Sequence, residues 1–182
     1  MNEKVEKPDV KVALATFKER LIAALIDYGI YVGIIVVGII LQVAIGYVPI
    51  IGSWLSWLLG LLMYVVGIAA MFFISIWMPY KNDGQSIGKK NQNIKIMFID
   101  DEAKWTLRPV GEDDLGKVAI RGLIGWIEAS IAFGLLAWYL ITNDKNRQRF
   151  ADQLGKTVVV QCDQETGQVL KKPRVVAEKK KE

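Results

Sequence analysis

Two stretches of this chain place an arginine seven residues before a carboxylate within largely apolar sequence. They are RLIAALID, from Arg20 to Asp27, and RGLIGWIE, from Arg121 to Glu128. Residues seven apart lie on nearly the same face of a helix, about 10.5 Å apart along its axis. Each stretch therefore predicts a cation near a membrane interface and a carboxylate two turns deeper. Because both segments have this order, we expect Asp27 and Glu128 to lie at similar depth.

These four side chains, together with Asp152, leave two interpretations open. A carboxylate inside a membrane is costly and often marks an ion or proton pathway, so a pair or cluster of acids could bind a cation or a proton. Intramembrane charges also pair with one another. The second interpretation, which the residues favour, is structural: Asp27 pairs with Arg121 and Glu128 with Arg20. Neither interpretation includes a catalytic residue or a metal site.

The residue types that are missing restrict the chemistry further. The chain of 182 residues has no histidine and one cysteine, Cys162. Histidine-based nucleophilic catalysis, the histidine zinc motifs and histidine proton relays are therefore excluded. With no visible nucleophile–base pair, we expect neither an enzyme nor a cofactor. We also expect no nucleic acid partner, because the basic residues carry no recognised binding signature.

Two apolar segments are long enough to cross a bilayer. Helices are predicted at about 18–45 and 53–78, joined by an uncharged turn, and about 20 apolar residues span the roughly 30 Å of hydrocarbon. Trp54, Trp57 and Trp77 lie near the ends of the second segment, as in an aromatic belt. The predicted class is an all-α membrane protein with two transmembrane helices, a third apolar segment and a small cytoplasmic β-motif.

The third apolar segment, about 118–141, is predicted to be a pair of re-entrant or interfacial half-helices, with a third span as the alternative. Lysine and arginine number five in residues 1–20, none in 46–53, seven in 80–117 and ten after residue 141. Such residues concentrate on the cytoplasmic side. A single crossing would place the basic tail outside and separate the β-type segments 93–99 and 157–160. A break near residues 128–134 avoids both, and puts both termini in the cytoplasm.

The polar segments are predicted to lie on the cytoplasmic side. Residues 1–16 are predicted to be a flexible N-terminus, 17–160 the membrane domain and 161–182 a basic tail. Within the cytoplasmic segment 79–117, a β-hairpin turns around residues 100–102, and a helix begins after GEDD. The basic residues outside the apolar segments suit the anionic headgroups of the bilayer surface.

Three motifs, in order along the chain, resemble those of the RDD family of small prokaryotic membrane proteins. The family's Arg-x6-Asp matches Arg20 and Asp27. Its Gly-Gln-Thr-x-Gly-Lys is similar to a turn with Gly84, Gln85, Gly88 and Lys89, where Ser86 replaces threonine. Its closing Asp-x-Leu-Ala-Gly-Thr resembles Asp152, Leu154, Gly155 and Thr157, with Lys156 at the family's glycine. The turn at Gly84 does not have the spacing of a P-loop.

The resemblance implies a cell-membrane protein, and leaves its function open between two hypotheses. RDD proteins are often described as transporters, with cation/proton antiport suggested for some, and others are accessory domains. The first hypothesis is a small oligomeric transporter in which Asp27 exchanges a proton for a cation. Two spans cannot enclose a pathway, so a transporter of this kind requires a second copy or a membrane partner. Small residues allow close helix contact, and the first helix has Gly29 and Gly33 while the second has Gly60 and Gly67. The alternative is a non-transporting scaffold, accessory or lipid-binding protein whose Arg/Asp pairs are structural.

Overall fold

The computed structural model describes residues 12–49, 51–101, 105–130 and 135–171, and is mostly helical with one small sheet. The helices are α1 (Phe17–Gly46), α2 (Gly52–Phe72), α3 (Met78–Lys81), α4 (Ile87–Asn91), α5 (Leu115–Ser130), α6 (Leu135–Asn143) and α7 (Phe150–Leu154). The strands are β1 (Ile94–Asp101), β2 (Thr106–Arg108) and β3 (Thr157–Gln161).

Two long helices form an antiparallel hairpin. α1 has 30 residues, and α2 continues through a π-helical turn at Phe73–Trp77 into α3, which makes a second 30-residue helix, Gly52–Lys81. Both are long and apolar enough to cross a membrane, with a mean hydropathy of 2.4 over their most apolar windows. Most of their large apolar side chains are exposed, so these two helices are not buried within the fold of this chain.

The glycines of these helices divide into two groups. A Cβ at Gly60 would lie 2.6 Å from the Gln42 amide nitrogen, and one at Gly67 would lie 2.9 Å from Ile35, so α2 packs closely on α1 at both positions. Gly29 and Gly33 have nothing within 4 Å of an added Cβ. The α1 pair therefore plays no part in the packing of the hairpin.

The sheet confirms the predicted β pairing. Its strand order is β2-β1-β3 and both pairs are antiparallel, with Phe98 opposite Arg108 on one side of β1 and Ile96 opposite Val159 on the other. The predicted segments 93–99 and 157–160 thus lie in one sheet. Of the predicted acidic turn, residues 102–104 fall outside the described residues.

One apolar cluster joins this sheet to the first turns of α1. Its members are buried side chains of the N-terminal segment, α1, β1 and β3: Ala15, Ala23, Ile94, Ile96 and Val159.

The folded body is longer at both ends than the predicted membrane domain 17–160. Ala13 and Ala15 are buried beside β3, where Ala15 N–H donates to the Val159 carbonyl (2.9 Å) and Gln161 N–H to the Ala13 carbonyl (2.7 Å). Beyond β3, Cys162 pairs with Val169. These backbone groups on either side of residues 17–160 complete the edge of the sheet. Residues 1–11 and 172–182 lie outside the described residues.

The third apolar segment contains two helices. A 3-10 turn at Glu112–Asp114 leads into α5, three residues before the predicted start, and α6 packs on both α5 and α1. At 1.5 Å per residue, α5 is about 24 Å long and α6 about 14 Å, so neither alone reaches the roughly 30 Å of a hydrocarbon core. The predicted break falls partly on residues 131–134, which lie outside the described residues.

Candidate functional site

A fully buried carboxylate, Asp152, lies at the centre of the charged residues. The Arg20 Nη1 atom lies 2.8 Å from its Oδ2, and the Arg121 Nη2 atom 2.7 Å from its Oδ1. Arg149 is third, with Nε 3.6 Å from Oδ1. Burial alone would raise the pKa of Asp152, but the guanidinium groups of Arg121, Arg149 and Arg20 outweigh burial and hold that pKa well below its usual value. Asp152 is therefore a fixed anion that joins α1, α5 and α7.

A second buried carboxylate, Glu128, binds the first turn of α7. Phe150 N–H donates to its Oε1 (2.8 Å) and Ala151 N–H to its Oε2 (3.3 Å), while the Arg149 Nε atom lies 3.8 Å from Oε2. The first N–H groups of a helix have no partner within the helix, and a carboxylate satisfies them. Glu128 therefore holds the end of α5 against α7.

The third carboxylate, Asp27, binds the first turn of α4 in the same way. Ser86 Oγ donates to its Oδ2 (2.5 Å) and Gly88 N–H to its Oδ1 (2.7 Å). A Cβ at Gly88 would lie 2.0 Å from the carbonyl oxygen of Ala23, so only glycine allows α4 to approach α1 this closely. The carboxylate of the Arg-x6-Asp motif thus binds the turn of the Gly-Gln-Ser-x-Gly-Lys motif.

The predicted ion pairs Asp27–Arg121 and Glu128–Arg20 are wrong. Arg20 and Arg121 both bind Asp152, and Arg121 Nε also donates to Thr157 Oγ1 (3.1 Å). The physical reason is that α4 and α7 place their N-terminal N–H groups beside the two carboxylates, which removes the need for an arginine.

The predicted residues nevertheless come together. Arg20, Arg121, Glu128 and Asp152 belong to one network, and Asp27 lines the same cavity as the two arginines.

The glycine turn is attached to β1 by its backbone and by one side chain. Gly84 has φ of +80°, and a Cβ there would lie 2.3 Å from the Ile96 carbonyl oxygen, so glycine is required on both counts. Gln85 Nε2 donates to the Ile94 carbonyl (3.1 Å) and lies 3.3 Å from Cys162 Sγ. These two residues therefore position Ser86 and Gly88 against Asp27.

The closing motif connects α7 to β3. Gly155 is buried with its Cβ position 3.3 Å from Arg121 Cβ, and Thr157 Oγ1 donates to the Asp152 carbonyl (3.3 Å). Leu154 is half exposed and lies outside the charged network. Lys156 has φ of +50°, in the left-handed region that favours glycine, which explains why the family motif has glycine at this position.

Two residues of the site have roles that the sequence did not predict. Ser86 was recognised only as a replacement for threonine, and no spacing rule connects it to Asp27. Arg149 is one of the basic residues outside the apolar segments, for which the sequence predicts contacts to lipid headgroups, but it faces Glu128 and Asp152. Its position three residues before Asp152, the spacing of a residue that caps a helix and the third residue of that helix, was the available signal.

A cavity of about 380 Å³ lies beside these residues, between α1, the π-helical turn, α5 and α6. Four cationic side chains line it: Arg20, Lys89, Arg121 and Arg149. Lys89 Nζ donates to Ser86 Oγ (3.1 Å), and burial lowers the pKa of Lys89 to about 8. Within the described residues, no three acidic or cysteine side chains lie close enough to hold a metal ion.

The model of the RDD family matches residues 14–156, which include the first two motifs and the third as far as Lys156. This chain belongs to the RDD family. No curated protein and no solved structure matches it, so the assignment rests on the family model alone. The resemblance predicted from the motifs is confirmed. In this RDD protein, Asp27 binds the first turn of α4, and Arg20 binds Asp152 of α7.

Proposed function

We propose that this RDD protein is an integral membrane protein with α1 and the helix Gly52–Lys81 as its two spans. The length of these helices and their exposed apolar surface support this setting. The lysine- and arginine-rich segments support a cytoplasmic location for the sheet and for both termini. Hydrogen bonds between residues 13–15 and β3 support the same side for the two ends of the described chain.

The third apolar segment, in this proposal, enters the membrane and returns to the same side. α5 and α6 are each too short to cross, and they pack on each other. A return places Asn143 and the strand that follows on the side of β1, with which β3 pairs. A third span, the alternative, would require α5 and α6 to act as one continuous crossing. A C-terminal tag that is accessible outside intact cells would favour that alternative.

The function that the site supports best is a non-transporting scaffold or accessory role. The observation that supports this role is that Asp27, Glu128 and Asp152 all bind hydrogen-bond donors of the same chain. A carboxylate that exchanges a proton for a cation must release its partners in each cycle. Here that release would detach α4 or α7 from the long helices. The network therefore stabilises the junction between the spans and the cytoplasmic sheet, which a partner membrane protein or a second copy could contact.

The experiment compares proton flux with stability. Purified protein is reconstituted into liposomes that contain a pH-sensitive dye, and a sodium or potassium gradient is imposed. We expect no cation-driven proton movement, and a lower melting temperature for Asp27→Asn than for the exposed control Asp113→Asn. Flux in the wild type that disappears in a stable Asp27→Asn variant would overturn the scaffold proposal.

A second candidate is the oligomeric cation/proton transporter. Asp27 is half-buried and lines the cavity, which leaves its carboxylate within reach of a small ion. Gly29 and Gly33 face open space on the same helix, where a second copy could approach. Cross-linking in the membrane tests the oligomer: Gly29→Leu together with Gly33→Leu should abolish a dimer that uses this face. The same change at Gly116, which also has open space around it, is the control.

A further inference from the structure

The cavity combines a cationic end with apolar walls. Arg20, Lys89, Arg121 and Arg149 gather at the end that borders Asp152 and α4. The walls come from the long helices, α5 and α6, and include Leu21, Leu25, Met71, Ile74, Trp126 and Ile141. A ligand that matches both parts carries a negative charge at one end and hydrocarbon at the other.

Arg20 provides the observation that points to a ligand. Its side chain is nine-tenths buried, and Nη1 binds Asp152. Its Nε and Nη2 atoms are buried and have no hydrogen-bond partner among the described residues. These two donors form one edge of the guanidinium group, which can bind two oxygens of a phosphate at once. Buried donors rarely lack an acceptor, because an unsatisfied group is costly.

The charges around the cavity leave an excess of one cation. Four cationic side chains face three carboxylates, and each carboxylate is already bound within the fold. Lys89 has a neutral hydrogen-bond partner, Ser86, rather than a carboxylate of its own. An anion beside Lys89 and the free edge of Arg20 would therefore balance the charge and satisfy the donors.

The flank of α1 shows how such a ligand could enter. Leu21, Leu25 and Tyr28 line the cavity and are also 43%, 61% and 63% exposed. They connect the cavity to the apolar outer surface of the long helices. A volume of about 380 Å³ is at the small end of the range for ligand sites, so it suits a headgroup and the start of a chain rather than a whole lipid.

We propose that this cavity binds the phosphate group of one anionic phospholipid, with the acyl chains lying along α1 in the bilayer. Arg20 offers its Nε and Nη2 donors to two phosphate oxygens, and Lys89 adds a second positive charge at the same end of the cavity. This inference rests on the proposed membrane setting, but it does not depend on the absence of transport. Flux and lipid retention are separate measurements, so either proposal can fail alone.

The test uses the full chain, purified in detergent and incubated with equal amounts of phosphatidylglycerol and phosphatidylcholine. Native mass spectrometry counts the retained lipids, and thermal unfolding with each lipid gives an independent measure of binding. A third sample contains inorganic phosphate alone, which separates a lipid from a free anion. We expect one phosphatidylglycerol per chain, and a rise in melting temperature that phosphatidylcholine and phosphate do not produce.

Three variants address the site from different sides. Arg20→Lys keeps a charge for Asp152 but removes the free edge, Lys89→Gln removes the second cation, and Ala24→Phe fills the cavity. Each should weaken retention about tenfold, the change that corresponds to roughly 1.4 kcal/mol. The matched controls lie outside the cavity and should bind as the wild type does: Arg147→Lys, Lys90→Gln and Ala69→Phe.

Several results would overturn the proposal. Equal retention of the two lipids would remove the requirement for an anion. Stabilisation by inorganic phosphate that matches that of the lipid would assign the site to a free anion. Unchanged retention in Lys89→Gln and Ala24→Phe would place the lipid elsewhere, and these two variants decide the matter if Arg20→Lys does not fold.

Discussion

Replacing Asp152 by asparagine is the most direct test of the charged network. The carboxylate is fully buried and has two arginine atoms within 2.8 Å, Arg20 Nη1 and Arg121 Nη2. Asparagine has nearly the same shape, so the change removes the charge and leaves the packing intact. Three guanidinium groups then remain together without their shared counterion.

The expected loss follows from this geometry. Removing one partner of a buried ion pair costs about 3–5 kcal/mol, because the other charge stays buried. Here one carboxylate serves two close arginines, so we expect the upper part of that range. For a domain of this size, 1 kcal/mol corresponds to roughly 2–4 °C, so 3–5 kcal/mol would lower the melting temperature by about 6–20 °C.

The assay heats detergent-solubilised protein to a series of temperatures. Size-exclusion chromatography with tryptophan fluorescence detection then measures the fraction that remains folded at each temperature. Asp113→Asn is the control, since Asp113 is an exposed aspartate and surface changes usually stay within about 0.5 kcal/mol. A double variant, Asp152→Asn with Arg121→Gln, should lose less than the sum of the two single variants. A melting temperature for Asp152→Asn equal to that of the control would refute the structural role of the network.

Three further predictions concern stability, each measured by the same unfolding assay. Gly88→Ala should lower the free energy of unfolding by roughly 1–3 kcal/mol or more, because the new Cβ would overlap the Ala23 carbonyl oxygen. The control Gly116→Ala lies in open space and should be neutral or stabilising. Equal effects would contradict the close approach of α4 to α1. Lys156→Gly should stabilise by about 1 kcal/mol by relieving φ of +50°, and Lys145→Gly should not; no gain at Lys156 would argue against backbone strain there. The hydrogen bond from Arg108 lowers the pKa of Asp114 from 3.8 to about 2, so its stabilising effect is complete above pH 4 and is lost as the pH falls towards 2. Asp114→Asn should reduce the loss of stability between pH 4 and pH 2, and an unchanged pH dependence would contradict this assignment.

Features with a strong local pattern could be predicted from the sequence. The two long apolar segments have no competing interpretation over 25 or more residues, and the helices 17–46 and 52–81 lie where they were expected. The pairing of β1 with β3 was also predictable, because each strand needed a partner and the basic segments pointed to one side of the membrane. The spacing of Arg20 and Asp27 correctly indicated residues with internal partners.

The identity of those partners could not be predicted, for a physical reason. α4 and α7 have five residues each, too short to give a periodic pattern, yet their first N–H groups decide where Asp27 and Glu128 bind. The sequence shows side-chain charges but not the charge of a helix end. Pairing arginines with carboxylates by depth alone was therefore bound to miss a backbone partner.

The spacing of seven in the Arg-x6-Asp motif now has a structural explanation that differs from a shared ion site. Arg20 contacts Asp152 of α7, and Asp27, two turns further along the same face of α1, contacts the first turn of α4. The motif thus binds two separate short helices, one before β1 and one before β3. Since β1 and β3 pair with each other, α1 orients both halves of the sheet through one helical face. A shift of one residue between Arg20 and Asp27 would turn the aspartate by about 100° away from α4. The fold of this chain therefore requires the spacing of seven, independently of any ion transport.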